Sequence, residues 1–219
     1  MKIAYGLVGA SGFGSEIMPL ILEQNQLLQD NGSVIDCFFI DDNKQGNMLN
    51  NVDVISEQEF CALDYDKLLF NVAIGDSKIR QRVCERLLNI GCMPFDVISK
   101  FSRILHNSQI GEGSILTDFS IVTSNALIGK FFHSNLYSYI AHNCIVGDYV
   151  TLGPGVKVNG NVHIEDHVYI GTGAVIKQGT PDKPRIIGRD SIIGMGAVVT
   201  KDVNAGSTVI GNPAKVMAK

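Results

Sequence analysis

No apolar stretch in this 219-residue chain approaches the ~20 residues needed to span a bilayer, so membrane insertion is not expected. The opening MKIAYGLVGASGFG has too short an apolar run for a signal peptide and no plausible cleavage site. Positive charge is not in excess. Eighteen Lys and Arg against 22 Asp and Glu give a net charge of −4 and a pI near 5.7, with nothing to attract nucleic acid or an anionic membrane surface. The five cysteines are odd in number, contain no CxxC pair and show no metal-ligand spacing. They read as reduced thiols of a cytoplasmic protein. Against these absences stand 45% hydrophobic residues and 23 glycines, the composition of a well-packed, turn-rich fold rather than a disordered chain.

Residues 1–98 alternate strand and helix signals. IAYGLVG (3–9) reads as a buried strand, followed by a glycine turn and a helix from about Glu16 to Gln29. VIDCFFI (34–40) is a second strand ending at Asp41 and Asp42, and KLLFNVAIG (67–75) a third. In SKIRQRVCERLLN (77–89) Ile79, Val83 and Leu87 recur at helical spacing, and PFDVIS (94–99) closes the pattern. Such alternation predicts a small parallel sheet of the nucleotide-binding type.

The period changes at residue 104. Stepping by six from Ile104 to Ile176 meets thirteen positions, of which only Ser134 is not aliphatic. Four residues after each sits a small or β-branched side chain, with Phe132 the exception among the first twelve. This hexapeptide period predicts a parallel β-helix over residues 104–219, its aliphatic residues stacked into one core. The register slips once, between Ile176 and Ile187, where KQGTPDKPRI reads as an extruded loop. A linker is expected near Ser99–Arg103.

A glycine loop, GASGFG (9–14), lies between the first strand and its helix. Backbone N–H groups of Ser11, Gly12 and Phe13 could meet a phosphate at the helix N-terminus. Asp41 and Asp42 could bind ribose or base groups, or stand as solvated loop acids. Gly75 ends the third strand as a point of close approach or an ordinary turn. On the repeat, His142 falls between the inward positions Ile140 and Cys144 and so faces outward, either as a general base or as a solvated surface residue. His106 shares its phase two coils away. His133, His163 and His167 read as surface or interface residues.

The repeat, ending in IIGMGAVVTKDVNAGSTVIGNPAKVM and preceded by VGASGFGSE and FIDD, resembles the hexapeptide-repeat acyltransferases. The resemblance is to the branch that acetylates nucleotide-linked amino sugars, namely the bacillosamine-pathway N-acetyltransferases and the sialic acid O-acetyltransferase-type family. It implies a Rossmann-like α/β domain (1–98) followed by a left-handed β-helix (104–219), exempt from the usual right-handed crossover. It implies a homotrimer with acetyl-CoA, and no metal, in the groove between neighbouring β-helices.

His142 matches the family's catalytic histidine and Asn135 an asparagine near the sugar. The Gly160 N–H matches the oxyanion donor, and a turn glycine remains compatible because one residue can serve both purposes. Thr172, Met195 and Gly196 match the coenzyme groove, and Lys201 and Lys215 could meet coenzyme phosphates. Three positions depart from the pattern: Asn143 replaces the Glu or Asp that orients the base, Thr151 a second histidine, and Phe13 a histidine of the phosphate loop. The activity implied is acetyl-CoA-dependent N-acetylation of a nucleotide-linked amino sugar, a UDP-linked 4-amino-4,6-dideoxyhexose, for bacterial glycan synthesis. An O-acetyltransferase and a non-catalytic nucleotide-sugar-binding scaffold are the alternatives.

Overall fold

The computed structural model describes residues 1–29 and 34–217. The chain divides into two compact units, Met1–Val97 and Ile98–Lys219.

In the first unit, β1 (Lys2–Val8) runs at the centre of a six-stranded sheet, flanked in parallel by β2 (Val34–Ile40) and β5 (Lys67–Val72). Ala4 and Leu7 of β1 are fully buried, as the apolar run requires for a strand covered on both faces. The sheet is completed by β3 (Met48–Leu49) and β4 (Val52–Ile55) beyond β2, and by β6 (Met93–Pro94) beyond β5. Among the described residues of this sheet, only β3 and β4 pair antiparallel.

The first helix, α1, spans Gly12–Gln29 and so begins a turn earlier than its apolar periodicity suggested. Its first residues, Gly12, Phe13 and Gly14, carry no helical pattern, but Ser15 N–H already donates to Ser11 O at 2.8 Å. A short helix, α2 (Glu57–Cys61), has no counterpart in the sequence reading. It is set by a capping box, in which the Ser56 side chain accepts from Glu59 N–H and the Glu59 carboxylate accepts from Ser56 N–H. The third helix, α3 (Ser77–Ile90), starts on an Asp76 cap and stops at Gly91, whose φ of 98° favours glycine.

The segment read as a strand at 94–99 is split. Met93–Pro94 pairs with β5, whereas Val97–Ile98 joins the Ile115–Leu116 strand in a sheet of the β-helix. Ser99 N–H donates to Leu116 O at 2.9 Å, so residues 99–103 form the first turn of the helix rather than a linker.

From there each coil takes eighteen residues, three hexads. Ile121–Val122 pairs with Tyr139–Ile140, which pairs with Lys157–Val158, all parallel. Three such sheets form the walls of a left-handed parallel β-helix. The aliphatic series turns inward: Val122, Ile140, Leu152, Val158, Ile170 and Ile176 are at most 1% exposed. Each such side chain contributes roughly 1.5–3 kcal/mol by its burial. Ser134, the exception in that series, is also buried, and its carbonyl accepts from the Ser120 hydroxyl at 3.1 Å. The register slip has a structural counterpart. Val162–Ile164 pairs with Arg185–Ile187 across a longer interval, and the extruded loop ends where Arg185 pairs with Asp202 at 2.6 Å.

The corners between sheets are left-handed. One is a ladder of asparagines, Asn107, Asn125, Asn143 and Asn161, with φ between 55° and 61°. Asparagine tolerates this conformation better than most residues, which otherwise lose roughly 1–2 kcal/mol in it. A second corner carries a stack of Phe101, Phe119 and Tyr137, followed by Gly155, Gly173 and Gly196. His133 departs from expectation: it is 1% exposed, not a surface residue. The hexad phase gives the direction of a side chain but not whether that face is covered, and His133 shares a buried column with Ile115. His163 and His167 are half-buried, the latter stacked on Tyr149 at 5.3 Å.

Candidate active site

The His142 corner follows the sheet carrying Tyr139 and Ile140. Ile140 stacks on Val158, Ile176 and Val199, so the positions two beyond them form one column: His142, Gly160, Gln178 and Lys201. His142 is exposed, and its ring makes no hydrogen bond among the described residues. The imidazole instead lies over Gly160 of the next coil, and Asn161 N–H donates to His142 O at 3.0 Å. The Gly160 N–H likewise has no acceptor among the described residues.

Beside them Tyr139 donates its hydroxyl to Asn159 Oδ1 at 3.0 Å, while Asn159 Nδ2 donates to Ile176 O at 2.8 Å. This polar wall was missed in the sequence; the eighteen-residue coil, which brings residue 159 beside 141, was the available signal. Asn143 is on the same corner as His142 but makes no hydrogen bond to its ring; it occupies a left-handed position of the asparagine ladder. His106 is exposed two coils back on the same column, as its phase indicated.

The other candidate residues of the β-helix stand elsewhere on the chain. Thr172, Met195 and Gly196 occupy the corner below the aromatic stack, with Gly196 N–H donating to Thr172 O at 2.8 Å and Met195 80% exposed. Asn135 enters that same corner and accepts from Leu136 N–H through Oδ1 at 2.7 Å. Thr151 is on the sheet between His133 and Tyr169. Within the chain, therefore, His142, Asn143 and Gly160 come together. Thr151, Asn135, Thr172, Met195 and Gly196 do not join them; the Tyr139–Lys157 sheet intervenes. Lys215 is exposed on the final hairpin, paired with Ile210.

In the first unit, β2, β1 and β5 are adjacent, and their carboxyl ends bring Asp41, the glycine loop and Gly75 to one edge. Ligands of open α/β sheets bind at such an edge. Gly9 bends the chain there with φ 107°, its N–H donating to Ile40 O at 3.0 Å. Ser11 and Gly12 are exposed and Phe13 half-buried. The Lys44 ammonium, unremarked in the sequence, donates to Ala10 O and adds a cation to this loop.

The two acids divide. Asp41 Oδ1 accepts from Asn43 N–H at 3.1 Å, whereas Asp42 Oδ1 accepts from Glu57 N–H at 2.9 Å and so caps α2. Arg80, a fully buried side chain of α3, donates to Ile74 O at 2.7 Å and Gly75 O at 3.3 Å, fixing the loop after β5. Burial pushes the Cys144 thiol up to about 11 and those of Cys84 and Cys92 to about 12, which removes them as nucleophiles. Among the described residues no three His, Cys, Asp or Glu side chains stand together as metal ligands. No helix among them is long and apolar enough to cross a membrane.

A glycine-loop α/β sheet followed by a hexapeptide β-helix is the architecture of the hexapeptide-repeat acyltransferases that carry an α/β front half. Residues 6–87 match the PglD N-terminal domain, and residues 143–178 match the bacterial transferase hexapeptide of six repeats. The chain is 48% identical over 215 residues to GDP-perosamine N-acetyltransferase of Escherichia coli O157:H7, covering 98% of this chain and 96% of that one. It is 51% identical to the solved structure of WeeI from Acinetobacter baumannii AYE, with a TM-score of 0.93 over 98% of this chain and 100% of the other. The acetyltransferase domain of PglB from Neisseria gonorrhoeae FA1090, solved in complex with acetyl coenzyme A, is 26% identical with a TM-score of 0.82 over 98% of each chain. The chain belongs to this family of nucleotide-sugar N-acetyltransferases.

Proposed function

We propose that the protein transfers the acetyl group of acetyl-CoA to the 4-amino group of GDP-perosamine, a GDP-linked 4-amino-4,6-dideoxymannose. The 48% identity over nearly the whole chain to an enzyme of that name carries the reading. It moves the nucleotide from the UDP expected by resemblance to GDP. A reaction drawing on acetyl-CoA, in a chain of free thiols, belongs to the cytoplasm.

The β-helix supplies the chemistry. The amine attacks the thioester carbonyl carbon while His142 takes the proton that the nitrogen sheds. The Gly160 N–H, without an acceptor among the described residues, donates to the oxyanion; such a donor contributes ~3 kcal/mol. Collapse expels the coenzyme sulfur, which receives the proton from the imidazolium, leaving an amide and free thiol. Lys201 lies three coils from His142 on the same column, roughly 14 Å at strand spacing, and meets a coenzyme phosphate. The first unit holds the nucleotide sugar, with the N–H groups of Ser11, Gly12 and Phe13 and the Lys44 ammonium on its phosphates. Asp41 and Asp42 face its ribose and base.

Thr151, Asn135, Thr172, Met195 and Gly196 are separated from His142 within the protomer, so this reading needs a second copy to bring them to it. The assembly is a homotrimer with acetyl-CoA between neighbouring β-helices. Light scattering on the full chain is expected to give three protomers; a monomer with full activity would remove the shared groove. Thiol release with GDP- and UDP-linked 4-amino-4,6-dideoxyhexoses tests the nucleotide. We expect kcat/KM at least ~10-fold higher for GDP, the effect of about 1.4 kcal/mol of base recognition. Preference for UDP would overturn that choice.

A further inference from the structure

The environment of His142 differs from that of His106 in one respect that concerns the ring itself. The next coil places Ser124 after His106 but Gly160 after His142. A Cβ added at residue 160 would lie 2.5 Å from both Cε1 and Nε2 of His142, and 3.0 Å from Nδ1. No real Cβ makes such contacts, so the imidazole occupies the space a side chain would need. Gly160 does not have a φ in the left-handed region, so its backbone would admit alanine. The requirement for glycine here is steric and is directed at one ring.

The ring also lacks any hydrogen bond among the described residues, including one from Asn143, that would set its orientation. A side chain with neither a bonded partner nor a packed face would sample several rotamers on an exposed corner. The backbone of residue 160 supplies the packed face.

We propose that Gly160 is a positioning residue for His142: the missing side chain forms a flat berth against which the imidazole rests, and this replaces orientation by an adjacent carboxylate. The inference rests on the assignment of His142 as base and adds a function to Gly160 distinct from its N–H. Alanine separates the two, because it keeps the N–H but fills the berth. The atoms it displaces belong to an exposed side chain, so the ring swings aside and the fold survives.

The test is a double-mutant cycle in the full-length protein, with Gly160→Ala made in the wild-type and His142→Ala backgrounds. A displacement of about 1 Å in a reacting group can lower a rate by ~10²-fold. We expect Gly160→Ala to reduce kcat by about 10- to 100-fold in the wild-type background, with the KM for acetyl-CoA unchanged. On the His142→Ala background it should change kcat less than twofold. The imidazole resonances of His142, assigned by their loss in His142→Ala, should shift in Gly160→Ala while circular dichroism stays native.

An equal loss in both backgrounds would show that residue 160 acts independently of the ring and overturn the proposal. So would unmoved His142 resonances. A silent His142→Ala refutes the base assignment instead; shifted resonances in Gly160→Ala would then still establish the berth.

Discussion

His142→Ala is expected to lower kcat by at least ~10²-fold, the lower end of general-base effects. The KM for acetyl-CoA should stay within about twofold, because a base assigned to the acceptor amine is not assigned to binding the length of the coenzyme. His106→Ala is the matched control. It removes an exposed histidine of the same column, two coils away, and should leave kcat unchanged. A loss caused merely by disturbing this corner would appear in both variants. An equal loss in the control would therefore remove the base assignment.

The second large effect is expected in the glycine loop. A Cβ at Gly14 would penetrate the carbonyl oxygen of Gly9, an atom of the backbone that cannot swing aside. In Gly14→Ala the start of α1 must part from the loop, which dismantles the row of N–H groups proposed to hold the phosphates. The KM for the nucleotide sugar should rise at least ~10-fold, equivalent to about 1.4 kcal/mol. Some stability should be lost as well, about 1–3 kcal/mol for an overpacked site.

Gly12→Ala separates binding from folding. Apart from its chain neighbours and the backbone of its own helix, no described atom lies within 4 Å of a Cβ built there, so the protein itself has room for it. If the diphosphate lies against this backbone, Gly12→Ala should raise the same KM with no change in Tm. An unchanged KM in Gly12→Ala would place the phosphates elsewhere.

The architecture was legible wherever one period ran long enough. The six-residue series named the inward face from Val122 to Ile176 because a continuous core rewards the same side-chain type at each rung. The elements that escaped were short. Five residues of α2 and two of β3 carry no period, and α2 is fixed by the capping of Ser56 and Glu59 rather than by an apolar stripe. PFDVIS read as one strand because its composition does not reveal that Val97–Ile98 takes a partner eighteen residues on.

For the candidate site, the sequence proposed residues but not their contacts. The phase of the repeat turned His142 outward, and resemblance supplied its chemistry. Neither showed the ring resting on Gly160, since a period specifies directions and not which side chain fills the space left by a glycine. The carboxyl edge of the sheet was read from the strand ends. The bond from Lys44 to Ala10 O was not, because it joins residues 34 apart through a turn with no strong pattern. Asn143, read through the acid expected at that position, also has a backbone reason to be asparagine: it shares its left-handed corner with Asn107, Asn125 and Asn161.

The most direct measurement compares thiol release from acetyl-CoA with two acceptors, GDP-perosamine and GDP-6-deoxymannose, which differ only in an amine or a hydroxyl at carbon 4. An N-acetyltransferase using His142 predicts rapid release with the amine, an amide product, and release near background with the hydroxyl. Equal release with the hydroxyl sugar, giving an ester, or no release with either acceptor, would contradict it.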